Sequence, residues 1–262
     1  MNITLITSDQ IRHNYLVNLL SNIATKLNVI QEKKTFFSNQ NKISNLMKNY
    51  FLKVDDAQKK VFGNAAIDKK NKNIKLLSLE NKELEKCSLN FLSDFLNSDI
   101  FIVFGSSFIK KDLVNFLIDH KALNIHLGIS PYYRGTDCNF WALFDNNPHL
   151  VGATIHLLSK GLDSGPILYH ALSEIKEDPF IYTMSAVKSA FESIAQKIEN
   201  KTIFEHTPEI QDKSKEIKYS KKNEFNDEVI KKFFLNKIDL NSKIFKLDLY
   251  KNPYFLKNLK KF

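Results

Sequence analysis

Two stretches of the chain constrain its fold more than any other feature. Asn2 to Thr7 is a short β-branched run that stops at Ser8 and Asp9, after which Ile11, Leu16, Leu19, Leu20 and Ile23 recur at helical spacing. Ile100 to Phe104 is a continuous apolar run closed by Gly105, followed by a helical pattern from about Lys110 to Ile118 and a strand at Ala122 to His126. A strand that is apolar on both faces needs cover on both, and sheets sandwiched between helices provide it. Strands alternating with helices therefore predict an α/β fold with a doubly wound, mostly parallel sheet.

The rest of the pattern agrees. Asn28 to Gln31 and Ile74 to Leu77 read as strands, Ile43 to Val61 as an amphipathic, charge-laced helix and Cys87 to Leu96 as another helix. Ala153 to Leu158 and Ile167 to Ile175 read as strands joined by the turn Ser159 to Pro166, and Phe180 to Ile198 as a long helix. From Lys201 the composition turns to Lys, Asn and Phe, which predicts a small appendage with helical pieces such as Val229 to Leu235. The expected division is a main domain over residues 1–200 and a lysine-rich C-terminal appendage over 201–262. A chain of 262 residues suits that plan.

Composition narrows the setting. Hydrophobic residues at 43% and charged residues at 26% describe an ordinary globular chain, not a disordered one. Cys87 and Cys138 match no metal-ligand or redox spacing, so neither a disulfide framework nor a metal site is expected. No apolar run approaches the ~20 residues of a spanning helix, and the N-terminus has no basic region ahead of an apolar one. A cytoplasmic protein without membrane attachment is the expectation.

The net charge of +9 raises the question of a nucleic-acid partner. The last 62 residues hold 15 Lys against 9 acidic residues, a surplus of 6, so most of the excess lies in the tail. A solvated lysine-rich surface explains it, and nucleic acid is not the expected partner. The two arginines, Arg12 and Arg134, are more informative than the 36 lysines, because a planar fork that grips carboxylate or phosphate bidentately is not replaced by an ammonium.

Six of the seven glycines (Gly105, Gly128, Gly135, Gly152, Gly161 and Gly165) fall between residues 105 and 165, which places the functional centre there. Asn124 and His126 alternate at the carboxyl end of an expected parallel strand, so both side chains point to one face, at the end of the sheet where ligands bind. Asp163 sits in the glycine-flanked turn Gly161-Leu162-Asp163-Ser164-Gly165-Pro166. An amide, an imidazole and a carboxylate in one crevice suit acyl transfer to an amine: the amide donates to the oxyanion, the imidazole stabilises it and moves protons, and the carboxylate orients the imidazole. No serine or cysteine lies in a nucleophile-elbow setting, so direct attack by the substrate amine is the simpler route. Taken alone, the same residues also fit a packed histidine and a turn-forming aspartate.

The ordered motifs Asn124-Ile125-His126-Leu127-Gly128-Ile129-Ser130-Pro131-Tyr132-Tyr133-Arg134-Gly135, Asn139-Phe140-Trp141-Ala142-Leu143, Gly152-Ala153-Thr154-Ile155-His156 and Gly161-Leu162-Asp163-Ser164-Gly165-Pro166-Ile167 resemble the catalytic core of the 10-formyltetrahydrofolate-dependent formyltransferases, over roughly residues 98 to 200. The resemblance implies a Rossmann-like domain in which Asn124, His126 and Asp163 are the catalytic residues. Most relatives carry Ser and Leu where this chain has Gly128 and Ser130, a departure that leaves those three positions intact. By the same resemblance the folate donor lies along Phe104, Gly105 and Phe108 and against the turn at Gly161; core packing is the alternative for the two phenylalanines.

Arg12 and His13 open the first helix at the end of the first strand, where free N–H groups attract anions. Arg12 is a candidate clamp for an acceptor phosphate or carboxylate, with a surface ion pair as the alternative. Arg134 either fixes its loop or meets the acceptor, and Trp141 is either an aromatic platform or a core residue. Among family acceptors, a nucleotide-linked amino sugar suits the short tail best. Methionyl-tRNA formyltransferase, which carries a larger C-terminal domain, ranks second, and a non-catalytic binding module of the same fold third. Whether residues 201–262 complete the acceptor pocket or mediate a homodimer is open at this level.

Overall fold

A computed structural model describes residues 1–33, 44–68 and 70–240 and the backbone of 253–255. In chain order the elements are β1 (Asn2–Ser8), α1 (Ile11–Ser21), β2 (Lys26–Glu32), α2 (Asn45–Phe62), β3 (Ile74–Leu79), α3 (Leu89–Leu92), β4 (Ile100–Val103), α4 (Lys111–Asp119), β5 (Leu123–His126), β6 (Tyr133–Gly135), α5 (Cys138–Phe144), β7 (Ala153–Leu157), β8 (Ile167–Leu172), α6 (Pro179–Glu199), β9 (Lys218–Ser220), α7 (Asp227–Leu235) and β10 (Pro253–Phe255).

Eight strands form one sheet in the order β10-β8-β7-β5-β4-β1-β2-β3, with β6 and β9 pairing separately. The half from β3 to β5 is parallel throughout. β7 is the antiparallel strand, between β5 and β8. The expected doubly wound α/β architecture is present, and its burial pattern shows why. Ile3 and Leu5 of β1 pack with Leu16, Leu20, Phe191 and Ile194 of α1 and α6, while Ile6 packs with Leu92, Leu113 and Leu117 on the other face. Each fully buried Ile or Leu contributes about 1.5–3 kcal/mol relative to exposure, so β1 holds both layers together.

α6 starts where Asp178 accepts from the N–H groups of Phe180 and Ile181 and Pro179 fills the first turn; α2 starts where Ser44 accepts from Met47. One expectation changes. Cys87 to Leu96 is no continuous helix: Ser88 caps the four-residue α3, and residues 93–95 tighten to a 3-10 turn. The described part of 201–240 has no core of its own. Ile203 joins the main core, and Ile230 and Phe233 of α7 join an aromatic cluster with Tyr50, Phe140 and Trp141. The end of the tail returns as β10, parallel to β8 at the sheet edge. No described helix is long and apolar enough to cross a membrane.

Candidate active site

Asn124 and His126 lie on β5, and Asp163 lies in the turn between β7 and β8, thirty-seven or more residues away in sequence but in direct contact in space. His126 Nδ1 is 3.2 Å from Asp163 Oδ2, and Asn124 Nδ2 donates to Asp163 Oδ1 at 3.3 Å. Gly165 permits the approach: its turn folds so tightly over β7 that a Cβ there would meet the Leu157 carbonyl oxygen at 1.7 Å. Asp163 itself takes a left-handed backbone, φ 46°.

The proton positions follow from the partners. His126 Nε2 faces the Tyr133 carbonyl oxygen at 3.1 Å, and its Nδ1 faces the Asp163 carboxylate. Both partners can only accept, so the doubly protonated imidazolium is the form that satisfies both nitrogens. Burial alone would lower the His126 pKa, but Asp163, with Cys138 beside it, holds it well above the usual histidine value. Burial would likewise raise Asp163, yet the His126 cation holds its carboxyl well below the usual carboxylate range. The pair therefore stores a charge-separated ion pair in a nearly buried site.

His156, on β7 directly across from Asn124 in the strand register, belongs to the same cluster although the sequence assigned it no role. Its Nδ1 donates to the Leu157 carbonyl oxygen at 2.8 Å, which leaves Nε2 as the acceptor for Asn124 Nδ2 at 2.9 Å. Behind these residues Thr154 accepts the Ser130 N–H and donates to the Gly128 carbonyl oxygen, fixing the loop after β5. His170 contacts Thr154 at 3.0 Å; burial, and then the charge on His126, push its pKa down to about 4. Gly128 explains the departure noted in the motif. A Cβ at 128 would lie 2.5 Å from the Cβ of Cys138 and 2.7 Å from His126 Nε2.

The remaining candidates separate. Gly105 and Phe108 lie exposed on the loop after β4, where Ser107 donates its N–H and Oγ–H to the buried Glu32 at 2.7 and 2.9 Å. Phe104 is core: its ring packs on His13 and Phe191, and its backbone is bonded to Ile6 and Thr7. His13 is buried too, its Nδ1 against Thr7 Oγ1 at 2.7 Å, so it supports the end of β1 rather than facing the crevice. Trp141 is 4% exposed within the aromatic cluster, with Lys218 Nζ 4.0 Å over its ring, and offers no open platform. Arg134 is buried and donates to Glu216 and to the Leu162 carbonyl oxygen at 2.9 and 3.1 Å, while its Nε is buried without a partner. Gly161 lies exposed in the Asp163 turn, its carbonyl oxygen accepting from Ser159 Oγ.

Arg12 is placed differently. Its Nη1 donates to Gln58 Oε1 at 2.8 Å, while its Nε is buried without a partner. Burial pushes its pKa down to about 10, with Asp137 pulling the other way. Gln10, 7% exposed at the start of α1, has both amide atoms buried without partners, and α1 lacks a side-chain cap. These groups sit at the carboxyl end of β1, two strands from β5 and so about 10 Å away at the usual strand spacing.

A family model described as formyl transferase matches residues 21–204. The methionyl-tRNA formyltransferase of Thermodesulfovibrio yellowstonii is 31% identical over 90 residues, 34% of this chain and 29% of that protein. Its counterpart from Thermotoga neapolitana is 37% identical over 95 residues, 36% of this chain and again 29% of that protein. The matched segment thus spans less than a third of these relatives' length. Among solved structures, a sugar N-formyltransferase from Shewanella superposes with a TM-score of 0.53 at 15% identity, covering 86% of this chain and 78% of that one. A phosphoribosylglycinamide formyltransferase from Anaplasma phagocytophilum superposes with a TM-score of 0.50 at 17% identity, covering 76% and 85%. At such identities the structural likeness carries the fold.

Proposed function

This chain belongs to the formyl transferase family, and from that membership we propose that it is an N-formyltransferase that moves a formyl group from 10-formyltetrahydrofolate to the amine of a small acceptor, a nucleotide-linked amino sugar. The observation that carries the reading is the contact of Asn124, His126 and Asp163 with His126 held as an imidazolium. The neutral acceptor amine attacks the formyl carbon, forming the new C–N bond. The Asn124 amide turns the N–H of its longer bond, 3.3 Å to Asp163, toward the oxyanion as it forms, and the nearby His126 cation stabilises it through its charge. The amine proton leaves, the bond from the formyl carbon to the folate nitrogen breaks, and that nitrogen takes up a proton. Asp163 keeps His126 charged throughout. The donor lies along the exposed Gly105 to Phe108 loop and against the Gly161 to Asp163 turn.

The small acceptor is supported by the α1 terminus. Arg12 Nε and Gln10 Nε2 are buried N–H donors without protein partners, and an anionic group bonded to them would supply the acceptors they lack. A separation of about 10 Å from β5 suits a phosphate on a sugar whose amine reaches Asn124. A second reading, formylation of methionyl-tRNA, is favoured by the names of the curated relatives. One assay separates them. With 10-formyltetrahydrofolate present, nucleotide-linked amino sugars and charged initiator tRNA are offered in parallel and formylated product is measured. Product from the sugars alone supports the first reading, product from tRNA alone replaces it, and product from neither removes both.

A further inference from the structure

The turn that carries Asp163 is held from outside itself. A left-handed backbone at a non-glycine residue costs about 1–3 kcal/mol unless its surroundings fix it. Asp163 has φ 46°; Ser159 bonds to Ser164 and to the Gly161 carbonyl within the turn, and the Leu157 N–H donates to the Pro166 carbonyl oxygen at its base at 2.9 Å. Further contacts come from the segment after α6. Glu209 exchanges two backbone hydrogen bonds with Ile167 at 2.7 and 2.8 Å, which sets the register of the tail against the start of β8. Two residues on, the side chain of Gln211, 8% exposed, lies under the turn, and its Nε2 donates to the carbonyl oxygens of both Asp163 and Gly165, at 2.9 and 2.8 Å. Arg134, paired with Glu216 of the same tail, donates to the Leu162 carbonyl oxygen.

We propose that Gln211 is a positioning residue for the reaction: its amide nitrogen clamps the Asp163 and Gly165 carbonyls and so fixes the rotation at which the Asp163 carboxylate meets His126. The chemistry at position 211 is demanding. Carbonyl oxygens only accept, so the group between them must bring two N–H or O–H donors from one atom. An amide nitrogen does this without charge, whereas an ionised carboxylate brings none. Gln211 thereby acts on the reacting residues through the turn. The inference rests on Asp163 and His126 acting as proposed above.

The test uses the full chain and two readouts: the His126 imidazole pKa followed by NMR, and the steady-state constants for formyl transfer. Asp163→Asn sets the full size of the loss of support on His126. Gln211→Met keeps the length and removes both donors. It is expected to lower the His126 pKa by about one unit, in the direction of Asp163→Asn. It should also cut kcat by about tenfold to a hundredfold, the scale of a misplaced catalytic group, with KM for both substrates within about twofold. Gln211→Asn, one methylene shorter, reaches one carbonyl and should fall between Gln211→Met and the parent; it takes over the test should Gln211→Met fail to fold. A folded Gln211 variant with an unmoved His126 pKa and unchanged kcat would overturn the proposal. The readouts keep the two failures distinct: if Asp163→Asn leaves the His126 pKa in place, it is the ion-pair reading that fails.

Discussion

At the carboxyl end of the same sheet, the reacting atoms of β5 and the groups that follow β1 differ in what partners them. Around β5 every reacting atom has a partner: His126 has two acceptors, Asp163 a cation and an amide, Asn124 two acceptors for its nitrogen. At the start of α1, Gln10 and Arg12 leave three buried polar atoms with none. Burying an unpaired polar group costs about 1–3 kcal/mol, so a protein keeps few. The contrast separates a site preorganised for charge development from one that a ligand completes. Reacting groups gain from being fixed beforehand, while a binding group keeps its capacity for the incoming anion.

The largest effect that could break this contrast lies at β5. Asn124→Ala, His126→Ala and Asp163→Asn should each lower turnover by at least ~10²-fold, the scale of oxyanion and acid–base groups, as read from initial rates of formylated product. Because the three act as one unit, a double variant should lose little more than the worse single one. Near-parent turnover by His126→Ala would return the cluster to a structural role.

The same ion pair has a stability signature of about 2 kcal/mol, the scale of a charge-assisted hydrogen bond. His126 is raised above its unfolded value, so its contribution is complete below about pH 6.5 and is lost as pH rises through the folded value. Asp163 is depressed, so its contribution is complete above about pH 4 and is lost as pH falls toward the folded value. The stability gap between the parent and Asp163→Asn, measured by urea denaturation, should be widest near pH 5–6 and narrow on both sides. A gap that is constant from pH 5 to 9 would show that His126 does not carry the charge assigned to it. Formyl transfer should fade along the same alkaline limb.

Much of this was legible in the sequence, for reasons that also mark where it stopped. β1 and β4 are apolar on both faces, and only a covered parallel sheet accepts such strands, so the architecture followed from them. β6 and β9 are three residues long and α5 seven, too short for periodicity to show. Asn124 and His126 were visible through their alternation on one strand. Asp163 needed the fold to bring its turn over β7, and His156 needed the antiparallel pairing that sets it across from Asn124. Trp141 and Phe104 looked like binding aromatics because an apolar ring carries no label for which side of a helix or strand end it will occupy; both went to the core. Nothing in the sequence around Gln211 or Gln10 separates them from the other polar residues of a lysine- and asparagine-rich chain, since their meaning lies in which backbone or empty crevice they meet.

The unpartnered patch supplies the smallest effect and the sharper test of the acceptor. Arg12→Lys keeps the charge but loses the planar fork and the Nε–H that now lacks a partner. For an acceptor with a phosphate, KM should rise by about tenfold, close to 1.4 kcal/mol, with kcat within about twofold. For the same amino sugar without its nucleotide, Arg12→Lys and the parent should have equal KM, because the fork then has nothing to grip. An unchanged KM for the phosphorylated acceptor would make Arg12 a packing partner of Gln58 and leave the α1 terminus without a role in binding. A tenfold loss on both acceptors would place the fork on the sugar or on the donor instead, and would move the anion-binding role away from α1.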